Sequence, residues 1–132
     1  MFSIDVDTAG RHGHTIVRLR GQIDATVAAG VTAALAGVVA CHPDIIIDLT
    51  GLEFIDCGGL RALAGAREQA RRADGGLLLA SPQRLVLRVL ALSGLFDVFS
   101  VHARLEQAEA VRARSHDPGA GGRRGPARPR GC

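Results

Sequence analysis

Asp56, Cys57, Gly58 and Gly59 stand in a row and are the residues of this chain best suited to chemistry. Asp is a preferred helix N-cap, and its carboxylate would face the free N–H groups of the turn that follows. A thiol at the first helical position feels two opposed influences, because the helix terminus favours a thiolate and the neighbouring carboxylate opposes it. Each glycine in that first turn costs about 1 kcal/mol of helix stability relative to Ala. Either another backbone must come close here, or the glycines relieve crowding at a tight strand-to-helix turn. The remaining chemistry is sparse. His12, His14, His42, His102 and His116 are dispersed without a Cys or acid at ligand spacing, so no metal site is expected. Neither GxGxxG nor GxxxxGK[ST] occurs, so no phosphate loop and no cofactor are expected. Ser93, directly before Gly94, reads as a helix-terminal residue rather than a nucleophile.

Residues 56–59 need a scaffold, and hydrophobic periodicity outlines one. Phe2, Ile4 and Val6 alternate with Ser3, Asp5 and Asp7, and the alternation resumes from Thr15 to Arg20, which predicts a β-hairpin feeding a sheet. Val27, Val31, Leu35 and Val38 form a helical stripe within residues 25–40. Ile45, Ile46, Ile47 and Leu49 make a continuous β-branched run, the pattern of a central strand covered on both faces. From Cys57 to about Ala73 the apolar Leu60, Leu63, Ala64 and Ala70 oppose Arg61, Glu68 and Arg72, as in an amphipathic helix. Gly75 and Gly76 end it and Leu77–Leu79 form the next buried strand. Ser81-Pro82 is expected to cap a helix running to about Ser93, and Gly94 stops that helix. Its Leu85–Leu92 segment is apolar around more than the usual stripe, so one side either serves as a contact surface or packs on a neighbouring helix. A short strand, Val98–Val101, and a closing helix, Leu105–Val111, complete the pattern.

The chain has 132 residues, 47% of them apolar, which fits one domain with a single core and leaves no room for a second. There is no Trp or Tyr and only four Phe, so aromatic stacking platforms for single-stranded nucleic acid are excluded. All sixteen basic residues are Arg, and the formal net charge is +3. Residues 1–114 balance twelve Arg against twelve acids, while 115–132 hold four Arg against Asp117. The basic character therefore belongs to the tail, and no direct nucleic-acid contact by the body is expected. The tail lacks large apolar residues and is expected to be disordered, either as a basic arm or as a solvated tail. Cys41, Cys57 and Cys132 have no metal-ligand spacing and are expected as reduced thiols. With neither a signal-peptide leader nor an apolar run of membrane-span length, a soluble, cytoplasmic protein without membrane insertion is expected.

Three blocks together resemble one family. Gly21-Gln22-Ile23-Asp24, the Asp48–Leu63 segment with its Asp-Leu-Thr-Gly-Leu-Glu-Phe-Ile-Asp core, and Ser81-Pro82 through Leu92-Ser93-Gly94-Leu95-Phe96-Asp97-Val98-Phe99 are similar, in order, to the STAS domain. The similarity spans residues 2–112, and a free-standing domain with this block resembles the bacterial anti-sigma factor antagonists. The resemblance implies a non-enzymatic protein that binds an anti-sigma factor of serine-kinase fold and so frees a sigma factor, regulating transcription by partner switching. It places Asp24, Asp56, Cys57, Gly58 and Gly59 at the partner-binding surface. In the family a Ser at the position of Cys57 accepts phosphate, which ends binding, and the next residue is commonly Ser, Thr or Ala. Here Cys57 and Gly58 leave no hydroxyl at that switch, while Asp24 and Asp56 set a negative field around residue 57.

Three readings of Cys57 stand side by side. It is a near-isosteric replacement of Ser that keeps the binding shape without kinase control, a redox switch, or the trace of a switch abandoned for another partner. The fold expected is α/β: one STAS-like domain over residues 1–114, with a mixed sheet whose first two strands are antiparallel and whose later strands are parallel, packed with helices, and a tail over 115–132. A STAS subunit of a membrane-associated lipid or anion transport complex and a thiol-based sensor are the alternative functions, and homodimerisation is left open.

Overall fold

The computed structural model describes residues 2–8 and 14–115. The alternating N-terminal segments form β1, Phe2–Asp7, and β2, Thr15–Ile23, which pair antiparallel with Ile4 opposite Leu19 and Val6 opposite Val17. Helix α1, Ala28–Cys41, leads to β3, Asp44–Ile55, and α2, Cys57–Arg72, leads to β4, Gly76–Ala80. Helix α3, Arg84–Leu92, the short β5, Ser100–His102, and α4, Leu105–Ser115, close the fold. The five strands lie in the order β1-β2-β3-β4-β5, with every pair after the first parallel. The expected mixed sheet with an antiparallel first hairpin is therefore present.

Pleating divides the central strand between two cores, since successive side chains of a strand point to opposite faces. Ile45, Ile47 and Leu49 join Val17, Leu19, Val31, Leu35, Leu63, Leu79, Val86 and Leu90 in the larger cluster, beneath α1, α2 and α3. Ile46 turns the other way and packs with Leu78, Ala80 and Ala108 beneath α4. Covering both faces is what the continuous Ile45–Ile47 run requires. All three isoleucines are fully buried. Removing one to Ala would cost about 2–5 kcal/mol.

Strand β3 departs from the sequence-based expectation by continuing past Leu49 to Ile55. Its pairing with β2 shifts register between Arg18 and Arg20 and again between Gly21 and Gln22. Across these irregularities the core-facing positions of β3 change spacing, from Ile45, Ile47 and Leu49 to Leu52 and then Ile55. A bulge adds one residue to one strand of a pair, which accounts for each spacing of three. Gly21, at φ 90°, supplies on β2 a backbone conformation that a side chain would resist. After both shifts Ile23 pairs with Ile55, and both are fully buried.

Two further differences concern helix ends. Ser81-Pro82 does not cap α3: Ser81 lies in the left-handed region at φ 56°, Gln83 is the N-cap residue, and the helix begins at Arg84. The Ser81 N–H instead donates to the His102 carbonyl, so this residue serves the β4–β5 junction. The closing helix continues through Ser115, so the expected boundary at 114 falls inside α4. The rest of the expected tail lies outside the described residues. Of the three cysteines expected as reduced thiols, Cys57 is free and exposed, Cys41 is disulfide-bonded, and Cys132 lies outside the described residues. No helix among the described residues is long and apolar enough to cross a membrane.

Candidate functional site at the carboxyl ends of the second and third strands

The Ile23–Ile55 pair delivers the next residue of each strand, Asp24 and Asp56, side by side at the carboxyl edge of the sheet. In open α/β sheets this edge is where ligands and partners gather. The Asp56 N–H donates to the Ile23 carbonyl at 3.1 Å, fixing the two loops at their roots. Asp56 then divides its carboxylate between them. Oδ1 accepts from the Gly59 N–H at 3.0 Å, the expected N-cap of α2, and Oδ2 accepts from the Ala25 N–H at 2.9 Å. One side chain thus caps α2 and holds the β2–α1 loop against it.

Asp24 is organised locally. Its Oδ1 accepts from both the Thr26 N–H, at 2.9 Å, and the Thr26 hydroxyl. The hydroxyl first, then the backbone N–H of Thr26, hold the Asp24 carboxyl below its usual range, because both stabilise the ionised form. The same device occurs at Asp48, whose Oδ1 accepts from the Thr50 N–H at 3.0 Å and the Thr50 hydroxyl at 2.6 Å. Both are Asp-X-Thr segments, a pattern that lets a carboxylate replace a backbone turn. Neither Ala25 nor Thr26 is singled out by residue chemistry alone, yet each positions an acid of the site. The Asp-X-Thr spacing, repeated at 24–26 and 48–50, was the available signal. A third loop is tied in by Gln83, whose Nε2 donates to the Thr50 carbonyl at 2.7 Å.

The two glycines separate into different roles. Gly59 is buried, and a Cβ there would meet Ile55 Cγ1 at 2.5 Å and Ile23 Cγ2 at 2.7 Å. It allows the first turn of α2 to rest directly on the last residues of β2 and β3, so crowding inside the chain accounts for it. Gly58 is half-buried, and its added Cβ would lie 3.3 Å from Asp56 Oδ1 and 3.6 Å from Ala25 Cα and Ala28 Cβ. Cys57 is exposed at the first position of α2. The surface accordingly presents an exposed thiol at a helix N-terminus, beside loops anchored by two carboxylates. Among the described residues no group of His, Cys, Asp or Glu is arranged to hold a metal ion.

Comparison with known proteins gives this geometry a context. Anti-sigma-F factor antagonist RsfA of Mycobacterium tuberculosis is 36% identical over 97 residues, covering 70% of this chain and 75% of the relative. Anti-sigma-F factor antagonist RsfB of the same species is 32% identical over 101 residues, covering 74% and 83%. The crystal structure of an anti-sigma factor antagonist from Mycobacterium paratuberculosis superposes with a TM-score of 0.71 at 26% identity, covering 84% of this chain and 93% of that one. The STAS domain model matches residues 5–108, a span that holds all five strands from Asp5 onward and both acidic loops, and the chain belongs to the STAS domain family.

Proposed function

We propose that this protein is an anti-sigma factor antagonist, which binds an anti-sigma factor and thereby releases a sigma factor for transcription. The observation that carries the reading is the clamped surface at Asp24, Asp56 and Cys57, where one carboxylate joins the two loops flanking an exposed helix N-terminus. Relatives named as anti-sigma-F factor antagonists, over most of the chain, support it. Asp24, Asp56, Cys57 and Gly58 form the contact surface, and Gly59 supports it from beneath. Binding needs a surface of fixed shape, and the backbone-to-carboxylate bonds at Ala25 and Gly59 supply that rigidity.

The partner in this reading is an anti-sigma factor of serine-kinase fold, and Cys57 occupies the position where a phosphoacceptor Ser would stand. A protein-serine kinase requires an alcohol oxygen aligned with the γ-phosphate. Cys57 keeps the small side chain and removes that oxygen, so the protein remains a standing binder. Added phosphate would face the charges of Asp24 and Asp56, and like-charge repulsion would weaken the complex.

The test uses the anti-sigma factor kinase of the same organism with ATP and magnesium. Calorimetry should give a stable complex with the wild-type chain, and intact-mass spectrometry should show no stable phosphate on it. Cys57→Ser should acquire one phosphate at residue 57 and lose affinity on doing so. Absence of any complex overturns the antagonist reading. A stable phosphate on wild-type Cys57, or none on the Ser variant from a kinase active on other antagonists, overturns the assignment of residue 57.

A further inference from the structure

At the opposite end of the sheet, where β4 and β5 begin, lies a cavity of about 540 Å³ that the partner-binding reading does not use. Its volume falls in the range of small-molecule sites. Arg67 and Arg71, one helical turn apart on α2, stand on one side, and Asp97 and Ser100 on another. Leu77, Leu78 and Phe99 contribute buried apolar surface, and Val98 is 39% exposed.

The two arginines are not equivalent. Glu68 holds Arg71 in a bidentate pair, Oε1 to the Arg71 NH2 group at 2.6 Å and Oε2 to its Nε at 3.1 Å, and also lies 3.5 Å from Arg72. Arg67 is half-buried, and among the described residues no carboxylate lies within ion-pair distance of it. A guanidinium that is partly withdrawn from water and has no carboxylate in close contact attracts an anion, and Glu68, the acid that feels its field, is already bonded to Arg71. The carbonyl end of α2 opposes an anion, but the N–H groups of Ala73, Asp74 and Gly75 donate to the carbonyls of the last turn and reduce that field. With Arg71 neutralised by Glu68, Arg67 is the one lining cation left for a ligand, and Asp97 across the cavity opposes further negative charge, which suits a singly charged head and not a polyphosphate.

We propose that this cavity binds a small amphiphilic monoanion, with its carboxylate or other singly charged head on Arg67 and its short apolar body along Val98 and Phe99. The site lies at the amino ends of β4 and β5, away from the Asp24–Asp56 edge, so the inference does not depend on the antagonist reading.

The test is calorimetry of the full chain with sodium octanoate and with octan-1-ol, together with amide chemical-shift mapping. Octanoate should bind saturably, moving the Gly75, Gly76 and Ser100 amides and not those of Cys57 and Gly58. Octan-1-ol, which lacks the charge, should bind about tenfold more weakly, and Arg67→Gln should lose about tenfold in octanoate affinity at an unchanged melting temperature. If Arg67→Gln does not fold, Val98→Asp, which adds a carboxylate at the rim, takes its place with the same expected loss. The proposal is overturned if octanoate shows no saturable binding up to about 10 mM, where a ligand of this size reaches measurable occupancy. Equal binding of octan-1-ol, wild-type affinity in the variant that folds, or shifts confined to the other edge also overturn it.

Discussion

Replacing Asp56 tests whether one carboxylate holds both loops at the carboxyl edge of β2 and β3. In Asp56→Ala the Gly59 and Ala25 N–H groups lose their acceptors, at 3.0 and 2.9 Å respectively. Loss of an N-cap costs about 1 kcal/mol. The second bond, also to a charged acceptor but at an exposed loop, adds about 1 kcal/mol more. The sum, about 2 kcal/mol, is a large part of the roughly 5–15 kcal/mol that holds a typical domain folded. Asp56→Ser separates the two terms, because a Ser hydroxyl reaches the Gly59 N–H of its own helix but is too short for Ala25. It should cost about 1 kcal/mol, half as much as Asp56→Ala. Urea denaturation followed by circular dichroism measures both, provided the slope with denaturant stays constant. If Asp56→Ser is as unstable as Asp56→Ala, the cap on α2 contributes nothing. If Asp56→Ala lies within about 0.5 kcal/mol of wild type, the clamp is not a source of stability at all, since that is the scale of neutral surface changes.

The two glycines should behave oppositely. Gly59→Ala drives a Cβ into Ile55 and Ile23 at 2.5 and 2.7 Å and should destabilise by about 1–3 kcal/mol in the same urea assay. Gly58→Ala gains helix propensity of about 1 kcal/mol but crowds Asp56 Oδ1 at 3.3 Å, so its melting temperature should stay near wild type. For Asp24 the Thr26 hydroxyl is the largest cause of a carboxyl value below the ordinary 3.8, and the sign follows from linkage. The stabilisation is present above 3.8 and is lost as pH falls through the lower folded value, so Thr26→Val should raise the Asp24 carboxyl value in a carbon-13 titration while the group stays ionised at neutral pH. A Thr26→Val titration identical to wild type would remove the hydroxyl as the cause.

Where a local rule acts alone, it is legible in the residues. The Ile45–Ile47 run, the Cys57–Arg72 stripe and the Asp56 cap each follow from one such rule, and each stands in the structure as its pattern implies. Past Leu49 the period-two signal vanishes, because the core-facing residues become Leu52 and Ile55 at spacings of three. A strand with bulges therefore reads as a loop. Ser81-Pro82 carries the residue types of a helix start, but the Ser81 N–H is engaged by the His102 carbonyl, a contact across the sheet that no local pattern encodes. In the site, the acids are visible as residue types and the Asp56–Ala25 bond is not, since it joins positions 31 apart in the chain. The difference between Gly58 and Gly59 likewise depends on Ile23 and Ile55, which reach Gly59 only after the sheet has formed.

The paired register shifts between β2 and β3 have a consequence for how this protein tolerates changes in length. Each shift reverses the parity of inward and outward positions along β3, and two reversals restore it. The strand counts ten steps from Ile45 to Ile55 while β2 counts eight from Thr15 to Ile23, an even surplus that returns Ile55 to the interior and Asp56 to the rim. Deleting one residue between Thr50 and Glu53 would leave the surplus odd, so that either the core loses Ile55 to solvent or α2 starts half a pleat out of phase. Deleting two would keep parity and shorten the bulged rim instead. Tolerance here is thus a matter of odd against even, and the orientation of the Asp24–Asp56 edge is set by a count of residues as much as by their identity.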